Sequence, residues 1–100
     1  LARAAETAAI VGSAIGVAAP ESEPLLVELD TGRFSGLTWG EIEERYPEEH
    51  KAFGSLSWEA VPDAESAEAM YRRAAQAWSR LKAAAIESGG AVAAVSHGGT

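Results

Sequence analysis

The sequence predicts an α/β fold with parallel strands, on three observations. From Ala67 to Ala85 apolar residues recur at every third or fourth position, the spacing of one helix face. The run Ala91-Val-Ala-Ala-Val-Ser96 is continuously small and apolar, as a strand covered on both faces must be. Along the chain the segments run helix, strand, helix, helix, strand, an order that favours layers with ligands gathered at the carboxyl ends of the strands.

Residues 1–15 are nearly all alanine, aliphatic or small, with Leu1, Ala5, Ala8 and Ile15 near helical spacing and Gly16 placed to end the helix. A helix is thus expected to be under way at the first residue, as in a piece of a longer protein. Residues 20–24 form a polar linker with two prolines, and Pro24-Leu-Leu-Val-Glu-Leu29 has the aliphatic character of a buried strand or extended segment. Gly32 and Gly36 bracket a turn-rich stretch. Thr38-Trp-Gly-Glu41 is a capping box, in which hydroxyl and carboxylate each satisfy a main-chain N–H of the other residue, so a helix runs from there to about Tyr46, where Pro47 breaks it. Residues 47–62 mix acids, aromatics and Gly54 and predict an irregular, lid-like insert with a short helical piece around 48–53. Ser66 caps the long helix whose apolar stripe is Ala67, Met70, Ala74, Ala77, Trp78, Leu81 and Ala85, and Gly89-Gly90 ends it.

One hundred residues and 10.4 kDa make a single small domain, residues 1–100. The apolar fraction of 47% includes 22 alanines, which leaves 25 residues with a substantial side chain to bury. Burial must offset a large loss of conformational entropy, so the chain alone is expected to be marginal. Fifteen acidic residues against eight basic ones give a net charge of −7 with no Lys/Arg cluster, which argues against nucleic acid as a partner. The sequence has no cysteine, hence no disulfide, thiolate metal site or cysteine nucleophile, and it suits a reducing, cytoplasmic setting. Apolar runs such as 91–95 fall far short of the ~20 residues that cross a bilayer, so no membrane partner is expected. The sequence leaves the oligomeric state open.

His97 follows a strand-like run and precedes Gly98 and Gly99, a place where main chain can approach an anion closely. It reads as a functional imidazole, with a strand-end structural residue as the plainer reading. His50, between Glu49 and Lys51, reads as a solvated surface residue. Arg3 is a lone cation in an apolar helical segment, with Thr7 one turn along the same face. Its guanidinium fork suits phosphate or carboxylate, and a frayed, exposed helix end accounts for it equally well. Glu28 delivers a carboxyl to the edge of an apolar element, where the charged form is disfavoured and a proton is available for a leaving group; a plain strand-end acid is the competing reading. No histidine pair stands at metal-ligand spacing, so no metal and no cofactor is expected. Ser96-His97 is no nucleophile and base, because neighbouring strand residues point to opposite faces. Trp39, Phe53, Trp58, Tyr71 and Trp78 are expected in the core, with Trp58 also a candidate pocket wall.

Taken together, five blocks in order resemble the histidine phosphatase superfamily, the phosphoglycerate-mutase-like group. They are Leu1-Ala-Arg-Ala-Ala-Glu-Thr-Ala8, Glu28-Leu-Asp-Thr-Gly32, Gly36-Leu-Thr-Trp-Gly-Glu41 with Tyr46-Pro47, Pro62-Asp-Ala-Glu-Ser66, and Val95-Ser-His-Gly-Gly99. The resemblance spans nearly the whole chain. It implies a three-layer α/β/α sandwich with a mostly parallel sheet, incomplete in these residues, and phosphoryl transfer through a phosphohistidine from a small phosphorylated substrate. It further implies that Arg3 binds phosphate, that Glu28 is the acid and base, and that His97 binds the phosphoryl oxygens, with the main chain of Gly98 and Gly99 close by. Phe53 and Trp58, in the insert, become candidate substrate contacts.

The family's Arg-His-Gly motif, which supplies the nucleophile and a second phosphate arginine, is not among these residues, so the chain alone is expected to be inactive. Ala64 stands where the family usually has glycine, and Thr31 and Arg33 replace commoner aromatic and acidic choices. Glu28 and Glu65 are 37 positions apart, too close for the long insert of the cofactor-dependent mutases, and Ser-His-Gly-Gly replaces their usual Ala-His-Gly-Asn. A phosphomonoesterase is therefore favoured over a phosphoglycerate mutase. A non-catalytic α/β interaction module is the alternative of another class, and the residues that precede Leu1 discriminate it.

Overall fold

A computed structural model describes residues 1–17, 19–55 and 57–98. The described residues form four α-helices, α1 (Ala2–Ala14), α2 (Trp39–Arg45), α3 (Pro47–Ser55) and α4 (Ala67–Ser88), with short 3₁₀ turns at Pro24–Leu26, Gly32–Phe34 and Trp58–Ala60. Among the described residues there is no strand, so the expected α/β sandwich with its parallel sheet is corrected to an all-helical arrangement.

The correction has a local cause at each expected strand. Pro24 presets the first position of a helical turn and the Glu23 carboxylate accepts from the Leu25 N–H, so residues 24–26 wind into a 3₁₀ turn. In the second expected strand Ala91, Val92, Ala93 and Ala94 are exposed and Val95 is half-buried, the reverse of a strand covered on both faces. A strand exists through its neighbour's main-chain ladder, and an apolar run does not supply that ladder by itself.

The helices follow their local signals more closely. Ile15 caps α1 and Gly16 follows at φ +70, the left-handed conformation that stops a helix without a Cβ penalty. The Thr38 to Glu41 capping box is formed in full. Pro47 ends α2 and opens α3, because its missing N–H is harmless in a first turn; the expected irregular insert is therefore mainly helical. Ser66 Oγ accepts from the Ala69 N–H, and Gly89 at φ +64 closes α4 with its N–H bonded to the Ile86 carbonyl.

The chain divides into two compact units. The second unit, Leu29–Met70, has its own core of Phe34, Ile42 and Val61, with Leu37, Tyr46, Phe53 and Ala64 packed against it. Among the described residues of the first unit, Leu1–Glu28 with Tyr71–Thr100, Ala77 is the one buried hydrophobic residue. On the α4 stripe Ala77 is buried and Ala67, Met70, Ala74, Leu81 and Ala85 are half-buried, whereas Trp78 is 62% exposed. Trp39 and Tyr71 are exposed as well, so three of the five aromatics expected inside lie on the surface and Phe34 and Tyr46 do the core's work. Among the described residues no helix is long and apolar enough to cross a membrane.

Candidate active site

The site is built in the first unit, from the second residue of α1, the turn after the linker, and the segment that follows α4. Arg3 sits on the first turn of α1, and its carbonyl accepts from the Thr7 hydroxyl at 2.9 Å. Glu28 follows the 3₁₀ turn at Pro24–Leu26. His97 follows the apolar run, with its side chain only 3% exposed.

These three residues, separated by most of the chain, meet at one atom. Arg3 Nη2 lies 3.3 Å from Glu28 Oε2, and His97 Nδ1 lies 3.6 Å from the same oxygen. The first distance is a charge-assisted hydrogen bond; the second is a contact too long to be one. Glu28 is 28% exposed and Arg3 is 67% exposed, so a buried imidazole, a half-buried carboxyl and an accessible guanidinium form a graded site open on the arginine side. An anion approaching from solvent meets the guanidinium first.

The turn that carries Glu28 is held to α4 at both ends. Arg80 Nη1 donates to both oxygens of Glu23 at 3.1 Å, and Glu23 in turn caps Leu25. The Leu25 N–H, followed by Arg80, holds the Glu23 carboxyl below its usual range. Arg73 donates to the Leu25 and Val27 carbonyls and Ser96 to the Leu26 carbonyl. Sequence reasoning missed Arg73, Arg80 and Glu23. For the two arginines, basic residues off the apolar stripe of α4 were the available signal, but main-chain carbonyls as partners leave no pattern of residue types.

Gly98 lies in an exposed turn, and a Cβ there would meet nothing within 4 Å. Gly99 lies outside the described residues. Ser96, set aside as a nucleophile, has its hydroxyl committed to the Leu26 carbonyl at 2.8 Å. Phe53 and Trp58 belong to the second unit, where both have structural partners. The Phe53 ring lies 5.9 Å from Phe34 and 5.3 Å from Trp39, and Trp58 Nε1 donates to the Glu65 carbonyl at 2.9 Å. His50 is half-buried beside Trp39, their rings 5.8 Å apart, rather than fully solvated. Among the described residues no group of three His, Asp or Glu side chains is placed to hold a metal ion.

The family model of the histidine phosphatase superfamily (branch 1) matches residues 1–100. No curated protein and no solved structure matches the chain. With a model match over its whole length, the chain belongs to the histidine phosphatase superfamily, a group of phosphatases and mutases that act on small phosphorylated substrates.

Proposed function

We propose that these residues carry the phosphate-binding and proton-donating part of a phosphomonoesterase that works through a phosphohistidine. The observation that supports it is the meeting of Arg3 and His97 on one oxygen of Glu28. A phosphomonoester that enters from the exposed side takes over the Arg3 guanidinium, whose planar fork suits its oxygens better than a single carboxylate contact does. His97 supplies a second positive group when protonated. Glu28, released from Arg3, lies beside the bound ester as its proton donor.

The nucleophile is expected from the family's Arg-His-Gly motif, which is not among these residues. As its imidazole nitrogen bonds to phosphorus, the ester P–O bond breaks and Glu28 gives its proton to the departing oxygen. Water then attacks the phosphohistidine, Glu28 takes the proton back, and inorganic phosphate and free histidine result. The spacing of 37 positions from Glu28 to Glu65 and the Ser-His-Gly-Gly block support hydrolysis over mutase chemistry. The cysteine-free composition supports a reducing, cytoplasmic setting.

The test is steady-state turnover of phosphomonoesters by the full-length gene product. Glu28→Gln should lower kcat by about 10²–10⁴-fold with KM little changed, and unaltered turnover would remove Glu28 as the acid. Arg3→Ala should weaken inorganic phosphate binding by about 1.5–3 kcal/mol in a calorimetric titration. Equal affinity would take Arg3 out of the site. Transfer of phosphate within one substrate without release would point to a mutase, and no turnover at all to an interaction module.

A further inference from the structure

The three carbonyls immediately before Glu28 are all taken by side chains. Arg73, half-buried on α4, donates from Nη1 to the Leu25 carbonyl at 2.9 Å and to the Val27 carbonyl at 2.8 Å. Ser96 donates from Oγ to the Leu26 carbonyl between them at 2.8 Å. Three consecutive carbonyls claimed by two side chains more than forty positions away is not a feature of a free loop, whose carbonyls go to water.

The placement of these ties gives them a purpose. Ser96 is the residue before His97, and Leu26 stands two residues before Glu28, so the Ser96 bond sets the separation of the two main-chain positions from which imidazole and carboxyl reach each other. Arg73 fixes the same turn to α4, a helix of 22 residues and the longest rigid element in the chain. The 3.6 Å between His97 Nδ1 and Glu28 Oε2 is too long for a hydrogen bond, so the placement of the two main-chain segments bears directly on that separation.

We propose that Arg73 and Ser96 are positioning residues that hold Glu28 against His97 and aim its proton at the leaving group; this rests on Glu28 being the proton donor. Neither touches substrate. Their effect passes through the carboxyl, so their loss is felt wherever a proton must be delivered and hardly elsewhere.

The experiment compares two esters in the full-length gene product. An alkyl phosphate needs a proton on its departing oxygen, whereas 4-nitrophenyl phosphate leaves as a stable phenolate. Glu28→Gln should slow the alkyl ester far more than the nitrophenyl ester. Arg73→Met, which keeps stem length and helix propensity but removes the donor, and Ser96→Ala should show the same split, about 10²-fold or less on the alkyl ester, with KM little changed. Either change added to Glu28→Gln should have little further effect, and Arg73→Lys should restore part of the rate, since an ammonium donates to two carbonyls. Equal slowing of both esters by Arg73→Met and Ser96→Ala would overturn the proposal.

A second measurement separates this outcome from failure of the function itself. Should the unaltered protein hydrolyse neither ester, the phosphatase reading falls, and hydrogen exchange still decides the brace. In Arg73→Met the peptide covering residues 24–28 should exchange roughly tenfold faster while α4 peptides keep their protection. Unchanged exchange there would show that Arg73 holds nothing.

Discussion

Gly32 stands at φ +55, and a Cβ built on it runs into the Pro62 carbonyl oxygen, the Asp63 carbonyl carbon and the Ala64 nitrogen. Main chain cannot swing aside as a flexible side chain does, so Gly32→Ala combines overpacking with left-handed strain. We expect it to destabilise the second unit by at least about 1–3 kcal/mol in urea unfolding. Gly36→Ala, at φ +80 with nothing within 4 Å, should do less harm. If the two substitutions proved equally mild, the close approach at Gly32 would be wrong. The Glu28 to Gly32 block thus ends in a glycine with a steric reason to be there. At this same scale Arg3, Glu28 and His97 were legible because their types and order resemble a family pattern, and the structure brings them to one oxygen. Arg73 was not legible, because nothing in a sequence tells which carbonyl an arginine will reach.

The capping box at the start of α2 shows how far local signals carry at the scale of an element. Thr38 Oγ1 accepts from the Glu41 N–H at 3.3 Å, and Glu41 Oε2 accepts from the Thr38 N–H and hydroxyl, both at 2.9 Å. The Thr38 N–H, then its hydroxyl, hold the Glu41 carboxyl below its ordinary value of 4.5, with Arg45 adding to the effect. A carboxyl lowered in the folded state contributes stability that is present above pH 4.5 and lost as pH falls through the lowered value. The amide resonances of Thr38 and Glu41 should therefore move together on acidification below pH 4.5, as should that of Leu25, capped by Glu23, whose carboxyl is lowered too. Glu41→Gln should abolish the step at α2 and leave that at Leu25. Resonances indifferent to pH down to 3 would refute both caps. Thr38→Ala should cost about 1 kcal/mol of helix stability. Caps, prolines and terminal glycines were legible because they act over three or four residues. Residues 24–29, expected as a strand or extended segment, and 91–96, expected as a strand, pair in no ladder, because apolar character is the same with or without one, and Pro24 with Glu23 turned residues 24–26 into a 3₁₀ turn.

For the whole molecule, what matters is how little is buried. Only Phe34, Ile42, Val61 and Ala77 are buried hydrophobic residues among those described, and the first three belong to the second unit. In the first unit Ile10, Ile15, Val17, Trp78 and Ile86 are each at least 60% exposed, so α1 and α4 present apolar surface to water instead of to a core. Alanine explains the disparity: 17 of the 22 alanines belong to the first unit, where they favour helix, yet each buries too little to offset the ordering of its own backbone. Two consequences follow for the 100-residue chain studied alone. Its thermal melt should be broad, with far-ultraviolet helix signal lost gradually and at low temperature, and it should self-associate as concentration rises, since exposed apolar side chains have only each other to bury against. Phe34→Ala should remove what cooperativity there is, because it takes the central ring from the second unit's core of large side chains, a loss of about 3–5 kcal/mol where such a core is intact. A sharp, concentration-independent melt of a monomer would show that the first unit is stabilised by more than the contacts described, and the brace around Glu28 would be the first place to look for the difference.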